Sequence, residues 1–561
     1  MLEGIRFQVA DAVRRLLSAQ DRDPYSPTYG CFDRRYWGWK LVDFPEATFQ
    51  RGVYPLALLY ADPQSEYYQC ATVRLAVLAG LRYATRIQHR DGSFDQAFPH
   101  EHSFGATAFL LNSLLEAFRL VADNTDEAKR WHIEPCLRRA AEFLRKHDEE
   151  HGHIANHMAG AVLALLVSAE YWGETCYQNR AEAILESILK YQSPEGWFLE
   201  YEGADPGYQT LCLYYLAQVY QKLRSEVLRK VLDRAIAFLA HFVHPDGTFA
   251  GEYGSRRTAI FYPGGIALLS QEFPMALSIT QAMCRSIDAG RTVTLRDVDT
   301  GNLVPLLSNY ICTLQTGVLD EEVAVPSLPW EHSIVRQDFS QAGLYVRGTE
   351  YYYAILGTSN GGVLKVFDKP QRRILWDDGG YSGQLADGTF ITTQMTALGR
   401  PCTVGEDDIV LTSDFHKVLH LLPTPGRFVL LRLLSLTLMR SVWLGNMVKK
   451  RLVKLLISGK WRCAMQLQRR VRFETNRVVV EDCLSKSPRL RVAWLEFGRK
   501  FVSIHMASAR YFEGWQLAPP LPVPRIDVNR LNQQQCLNVQ ATIESPETDG
   551  QAFSKFCGVL K

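Results

Sequence analysis

A chain of 561 residues is too long for one ordinary hydrophobic core, so it divides into two or three domains. Hydrophobic residues make up 47% and charged residues 22%, which excludes a disordered or fibrous protein. Lys and Arg number 62 against 60 Asp and Glu, and a net charge of +2 provides no bulk field to gather nucleic acid, which is therefore not expected as a partner.

The first segment, MLEGIRFQVADAVRRLLSAQ, places Ile5, Val9, Val13 and Leu16 at helical spacing among charges. It reads as an amphipathic helix, not as the continuous apolar run of an export signal. Apolar residues then recur at helical period to about residue 290, in Cys70 to Ile87, Gly105 to Val121, Ile133 to Arg145, Met158 to Trp172, Arg180 to Tyr191, Tyr208 to Leu223, Val227 to Val243 and Thr258 to Leu269. One phrase punctuates them: a glycine, one residue, a large apolar residue and a polar loop. It stands at Gly30, Gly92, Gly152, Gly196 and Gly247, at intervals of 62, 60, 44 and 51 residues. A repeat of this length predicts stacked helical hairpins whose loops open on one side. With a weaker sixth pair near Met275 to Arg285, residues 1–290 are expected to form an incomplete α/α toroid.

Prolines at 305, 326 and 329 mark residues 291–330 as a linker. From 331 to 561 the grammar changes to short β-branched and aromatic strands, among them Gly343 to Gly348, Tyr351 to Leu356, Gly362 to Phe367, Phe390 to Met395, Val410 to Thr412, Lys417 to Leu421, Val471 to Glu474, Arg477 to Cys483 and Val492 to Phe497. Helices first and strands after predict two separate domains, the second an antiparallel β-sandwich. A basic helical insertion interrupts it at about 427–462. From Phe415 to Phe473 there are 13 Lys and Arg and no acidic residue, and Val429 to Leu438 and Val448 to Ile457 read as amphipathic basic helices. Such helices either contact anionic lipid or polymer, or pack on the sandwich with their cations solvated. The 12 cysteines form no CxxC pair and no zinc-spaced cluster, which suggests reduced thiols in a cytoplasmic protein. No metal or other cofactor is expected.

No Walker loop, GxGxxG fingerprint, GxSxG elbow or HExxH helix is present, which leaves chemistry done by ordinary side chains in a cleft. The strongest constellation is Asn156-His157 at a helix start, followed by Asp205-Pro-Gly-Tyr208 at another. An asparagine beside a helix N-terminus can hold a carboxylate, although Asn156 can equally serve as a helix cap. His157 can act as a base near neutral pH, and Tyr208 can exchange a proton. Arg256 and Arg257 suit anions, and Trp37, Trp39, Trp197 and Tyr262 can stack on sugar rings or belong to the core. Glu202 and Asp205 are candidate substrate-binding residues and, as a carboxylate pair, the basis of a hydrolase alternative.

Asn156-His157, the Asp205-Pro-Gly-Tyr208 loop, the toroid and the sandwich opening at Phe339-Ser-Gln-Ala-Gly343 resemble the heparinase II/III-like proteins, relatives of alginate and heparan lyases, over about residues 60 to 500. The resemblance implies β-elimination at a uronic acid. Asn156 would hold the carboxyl group, His157 would act or assist as base, and Tyr208 would protonate the leaving oxygen. Where His157 only assists, Tyr208 would be the base as well. The resemblance implies an acidic polysaccharide or oligosaccharide as partner. The family's histidine-rich stretch early in the sandwich corresponds here to Ser359 to Asp368, which has no histidine; His332, His416 or His420 would be the substitutes. A uronyl C5-epimerase begins with the same proton abstraction, and a non-catalytic glycan-binding component of exopolysaccharide assembly would keep the fold alone. With no export signal in this reading, a cytoplasmic member would act on imported oligosaccharide, or at the inner membrane face through the basic segment.

Overall fold

The computed structural model describes residues 2–121, 125–149, 154–318, 324–418, 424–440, 442–453, 460–498, 501–504, 506–517, 521 and 523–545. Six inner helices, Val53–Ala61, Phe104–Val121, Ala155–Trp172, Pro206–Leu223, Pro263–Leu269 and Thr300–Gln315, each pack on the next, and the last meets the first. Leu2–Ala19, Ala71–Ile87, Ile133–Lys146, Thr175–Lys190, Glu226–Ala240 and Pro274–Asp288 lie outside them. The two rings differ in sequence for a physical reason. Ala155–Trp172 has neighbours all round and is buried without interruption from Ala159 to Ser168. Ile133–Lys146 has one core face, so it buries Ile133, Cys136, Leu137, Ala140, Ala141 and Leu144 and turns Glu134 and Arg139 to solvent. Among the described residues one helix, Phe104–Val121, is long and apolar enough to cross a bilayer, and 78% of it is buried inside the protein.

The recurring glycines are joints between repeats. Gly30, Gly92 and Gly196 adopt φ of +95°, +95° and +98°. A Cβ there would fall 1.9, 2.0 and 2.2 Å from the carbonyl oxygens of Ala79, Arg139 and Arg234, each on an outer helix of the ring. Conformation and close approach thus both demand glycine. A glutamine bridges two of the joints: Gln88 Nε2 donates to Gly92 O and Cys136 O, and Gln192 Nε2 to Gly196 O and Val231 O. Gly152 lies outside the described residues.

The expected linker at 291–330 is corrected by Thr300–Gln315, the helix that closes the ring. Pro305 suggested a break because it cannot donate to Gly301 O. That carbonyl belongs to a half-buried first turn at the cleft, where the missing bond is tolerated.

The second domain contains β1 (Val335–Phe339), β2 (Leu344–Gly348), β3 (Tyr352–Gly357), β4 (Val363–Asp368), β5 (Arg373–Asp378), β6 (Tyr381–Leu385), β7 (Phe390–Thr392), β8 (Cys402–Val404), β9 (Asp408–Val418), β10 (Trp461–Phe473), β11 (Arg477–Lys486), β12 (Val492–Phe497) and β13 (Cys536–Glu544). A five-stranded sheet runs β1-β2-β3-β4-β5, and an eight-stranded sheet runs β12-β6-β7-β9-β10-β11-β13 with β8 beside β9. All ladders are antiparallel. The smaller sheet is covered on both faces. Val346, Ile355, Val363 and Phe367 join the toroid core, while Tyr345, Ala354, Leu364 and Val366 join the core between the sheets. Every residue of β2, β3 and β4 is therefore buried; β3 reads as an unbroken apolar run, while β2 also buries Arg347 and β4 buries Lys365 and Asp368. The expected strands Val410 to Thr412 and Lys417 to Leu421 are one strand, β9, as far as Val418; residues 419–423, including His420, lie outside the described residues.

Polar side chains fix the two domains together. Lys365 of β4 contacts Glu252 of the toroid at 2.7 Å and Asp377 at 3.0 Å, all three buried. Glu195 accepts from the backbone N–H groups of Gln341 and Ala342, and the Tyr353 hydroxyl donates to His241 O. Pro425–Leu436 and Val442–Val453 form the basic excursion between β9 and β10.

Candidate active site

The loops at one rim of the toroid enclose a cavity of about 510 Å³, closed on one side by Met506, Ala507 and Ser508 from the far end of the chain. Asn156, His157, Tyr208, Arg256 and Tyr262, drawn from three successive repeats, line it.

His157 lies in the first turn of Ala155–Trp172. Its Nδ1 is 2.8 Å from Glu149 Oε2, and Phe109 meets the ring edge-on with centroids 5.3 Å apart. In the tautomer that donates Nδ1–H to Glu149, Nε2 carries the lone pair and can accept a proton. Gly105 makes room for this ring, since a Cβ there would fall 2.4 Å from His157 Nδ1. Tyr208, in the first turn of Pro206–Leu223, shares a 2.7 Å hydrogen bond with Ser508 Oγ. The Arg256 guanidinium carbon lies 3.6 Å from the centroid of the Tyr208 ring, close enough for a cation–π contact. Burial alone would lower the pKa of Arg256, but Tyr208 and Glu200 outweigh it and hold the side chain charged.

Asn156 faces another way from the expected one. It is the second residue of its helix and not the cap, and its Nδ2 is turned to Glu200, 2.9 and 3.0 Å from the two carboxylate oxygens. Glu200 in turn pairs with Arg256. The asparagine amide therefore fixes a carboxylate of the protein itself.

Several expected substrate contacts are corrected. Asp205 is a buried N-cap that accepts from Tyr208 N at 2.9 Å and Arg256 N at 2.8 Å, so it joins two loops behind the cavity. Burial raises its carboxyl from 3.8 to about 6 despite those donors. Glu202 pairs with Lys460 at 2.7 Å. Neither carboxylate lines the cavity, which removes the geometric basis of the hydrolase alternative. Arg257 points into the domain junction, where its Nη2 donates to Asn360 Oδ1 and Gln394 O, and burial lowers it to about 10. Trp37 donates to Ala19 O outside the cavity, and Trp197 is a core side chain that donates to Glu195. Trp39 is 68% exposed and also outside it.

No local pattern pointed to Glu149, Arg51, Phe109, Asn302 or Ser508. Glu149 is only eight residues before His157, in an acidic run, but a loop carries no period by which to orient it. Ser508 is 300 residues from its partner Tyr208, a distance no local pattern spans. In the stretch aligned with the family's histidines, Asn360 and Lys365 bind the toroid loop at Glu252. Among the described residues, His89, His100 and His102 form a group with ligand atoms within 4.8 Å of one another. Their ring centroids are 4.3 to 6.5 Å apart, and Asp95 and Asp91 engage His89 and His102 at 2.8 Å.

Residues 46–266 match the family model of the ulvan lyase N-terminal domain. No curated protein sequence matches the chain. Among solved structures, a xanthan lyase from Paenibacillus is 12% identical with a TM-score of 0.51, and the alignment covers 87% of this chain and 46% of that one. The chain thus spans about half the length of that lyase. A chondroitin AC lyase from Streptomyces coelicolor A3 is 12% identical over 88% of this chain and 67% of its own, with a TM-score of 0.48. A heparan sulfate lyase from Pedobacter heparinus is 12% identical over 85% and 69%, with a TM-score of 0.41. The chain is thus similar over residues 46–266 to the ulvan lyase N-terminal domain, and its α/α toroid and β-sandwich are the fold of a polysaccharide lyase.

Proposed function

We propose that the protein cleaves a uronate-containing polysaccharide or oligosaccharide by β-elimination. The observation that carries this reading is the meeting of His157, backed by Glu149, with Tyr208 and Arg256 around one cavity. The C5 proton of a uronate is held tightly because its loss adds negative charge beside a carboxylate. A guanidinium at that carboxylate stabilises the transition state. Arg256, with Arg51 also lining the cavity, supplies this charge. His157 Nε2 takes the C5 proton. The electron pair of that C–H bond forms the C4–C5 double bond, the C4–O bond breaks, and the Tyr208 hydroxyl protonates the departing oxygen. A cavity of about 510 Å³ is within the range of small-ligand sites, roughly 300–1,000 Å³. The ulvan lyase match and the lyase-like fold support the same reaction class.

The test is ultraviolet absorbance of the unsaturated uronate released from a panel of acidic glycans. Wild type should produce it, and Tyr208→Phe should lose about 10²- to 10⁴-fold in turnover while binding stays within a few fold. No product from any uronate polymer or oligomer would sink the proposal. A flat absorbance with solvent hydrogen entering C5 would assign epimerisation instead.

A further inference from the structure

The basic excursion exposes apolar surface that the toroid and sandwich leave uncovered. On Pro425–Leu436, Val429, Leu430, Leu433 and Leu436 are 60, 57, 56 and 50% exposed. Their spacing places them in one stripe of the helix. Leu438 and Met447 add to this surface. The helix is held in this attitude by its other side, where Arg432 ion-pairs with Asp43 at 2.6 Å and covers Phe44, and Ser435 is buried. Exposed apolar surface of this extent marks an interaction site.

Charge selects the occupant. No acidic residue occurs from Phe415 to Phe473, and Arg427, Lys450 and Arg451 of the same excursion are exposed. A second copy docked face to face would bring two such cationic segments together, because a two-fold interface apposes each patch to itself. A bilayer surface with anionic headgroups offers acyl chains to the leucines and negative charge to the arginines and lysines. We propose that this face docks on an anionic membrane surface. Arg432 is tied to Asp43 and Lys460 to Glu202, so the docking element grips loops that flank the cleft and would hold the cleft rim near the bilayer. This inference stands apart from the lyase reading.

Co-sedimentation of the full chain with vesicles of equal parts phosphatidylglycerol and phosphatidylcholine, against phosphatidylcholine alone, is the test. Binding should require the anionic lipid and weaken with salt. Leu430→Glu with Leu433→Glu should reduce it at least about tenfold with the melting temperature unchanged, since both positions are exposed. Lys450→Gln and Arg451→Gln should each cost roughly fivefold. Equal binding to neutral vesicles, undiminished binding by the leucine variant, or a dimer in solution that this variant dissociates while vesicles stay unbound would each overturn the proposal.

Discussion

The base role proposed for His157 rests on neighbours whose identities are less conspicuous than its own. Glu149, 2.8 Å from Nδ1, would select the tautomer with Nε2 free to accept a proton, and Gly105 leaves the ring its place. Glu149→Gln should therefore lower kcat by about 10²-fold, the lower end of the general-base range, with little change in KM. Steady-state kinetics would check this, and an unchanged kcat would remove Glu149 from the mechanism. Asp205 makes a different prediction, in stability. Its folded carboxyl holds a proton up to about pH 6, well above the ordinary 3.8, so the folded state binds that proton more tightly than the unfolded chain. Its stabilising contribution is full below about pH 4 and is lost as pH rises through about 6. Asp205→Asn, which cannot ionise, should flatten this part of the stability profile in urea unfolding series from about pH 4 to 7.

At the scale of elements, the fifth glycine repeat illustrates what a sequence pattern can and cannot convey. The phrase at Gly247 located the loop correctly among the rim loops. Its charged residues then divided between two tasks: Arg256 lines the cavity, while Glu252 and Arg257 bind the sandwich. Adjacent arginines on an irregular backbone point to different places, and nothing local in the sequence separates them. The strands show the same limit. β2, β3 and β4 were legible as strands because most of their residues are apolar on both buried faces, whereas β5, with four of its six positions only partly buried, carries no such pattern. At the junction, burial alone would disfavour the Lys365 ammonium, yet Asp377 and Glu252 hold it charged. Lys365→Met would leave these two carboxylates facing each other without a cation. It should destabilise the chain by about 3–5 kcal/mol, read from the urea midpoint. A change below about 1 kcal/mol would mean that the junction does not depend on this ion triad.

Taken whole, the molecule places its candidate site where the rim of the ring meets the segment Met506 to Ser508. The ring was readable because its joints repeat: a left-handed glycine and an apolar anchor recur at each described copy. The closing helix was not, because Pro305 is a break signal in isolation and only its setting at the cleft makes it harmless. The segment bearing Met506 and Ser508 carries no repeat at all, yet Arg256 Nη2 lies 3.2 Å from Met506 Sδ and Tyr208 shares its hydroxyl hydrogen bond with Ser508. That last bond has a consequence for ligand capture. Under the proposed mechanism, with Tyr208 donating this bond, a glycosidic oxygen would have to displace Ser508 Oγ before it could take the Tyr208 proton. Ser508→Ala removes the rival hydroxyl, and a lower KM at unchanged kcat would report the vacancy.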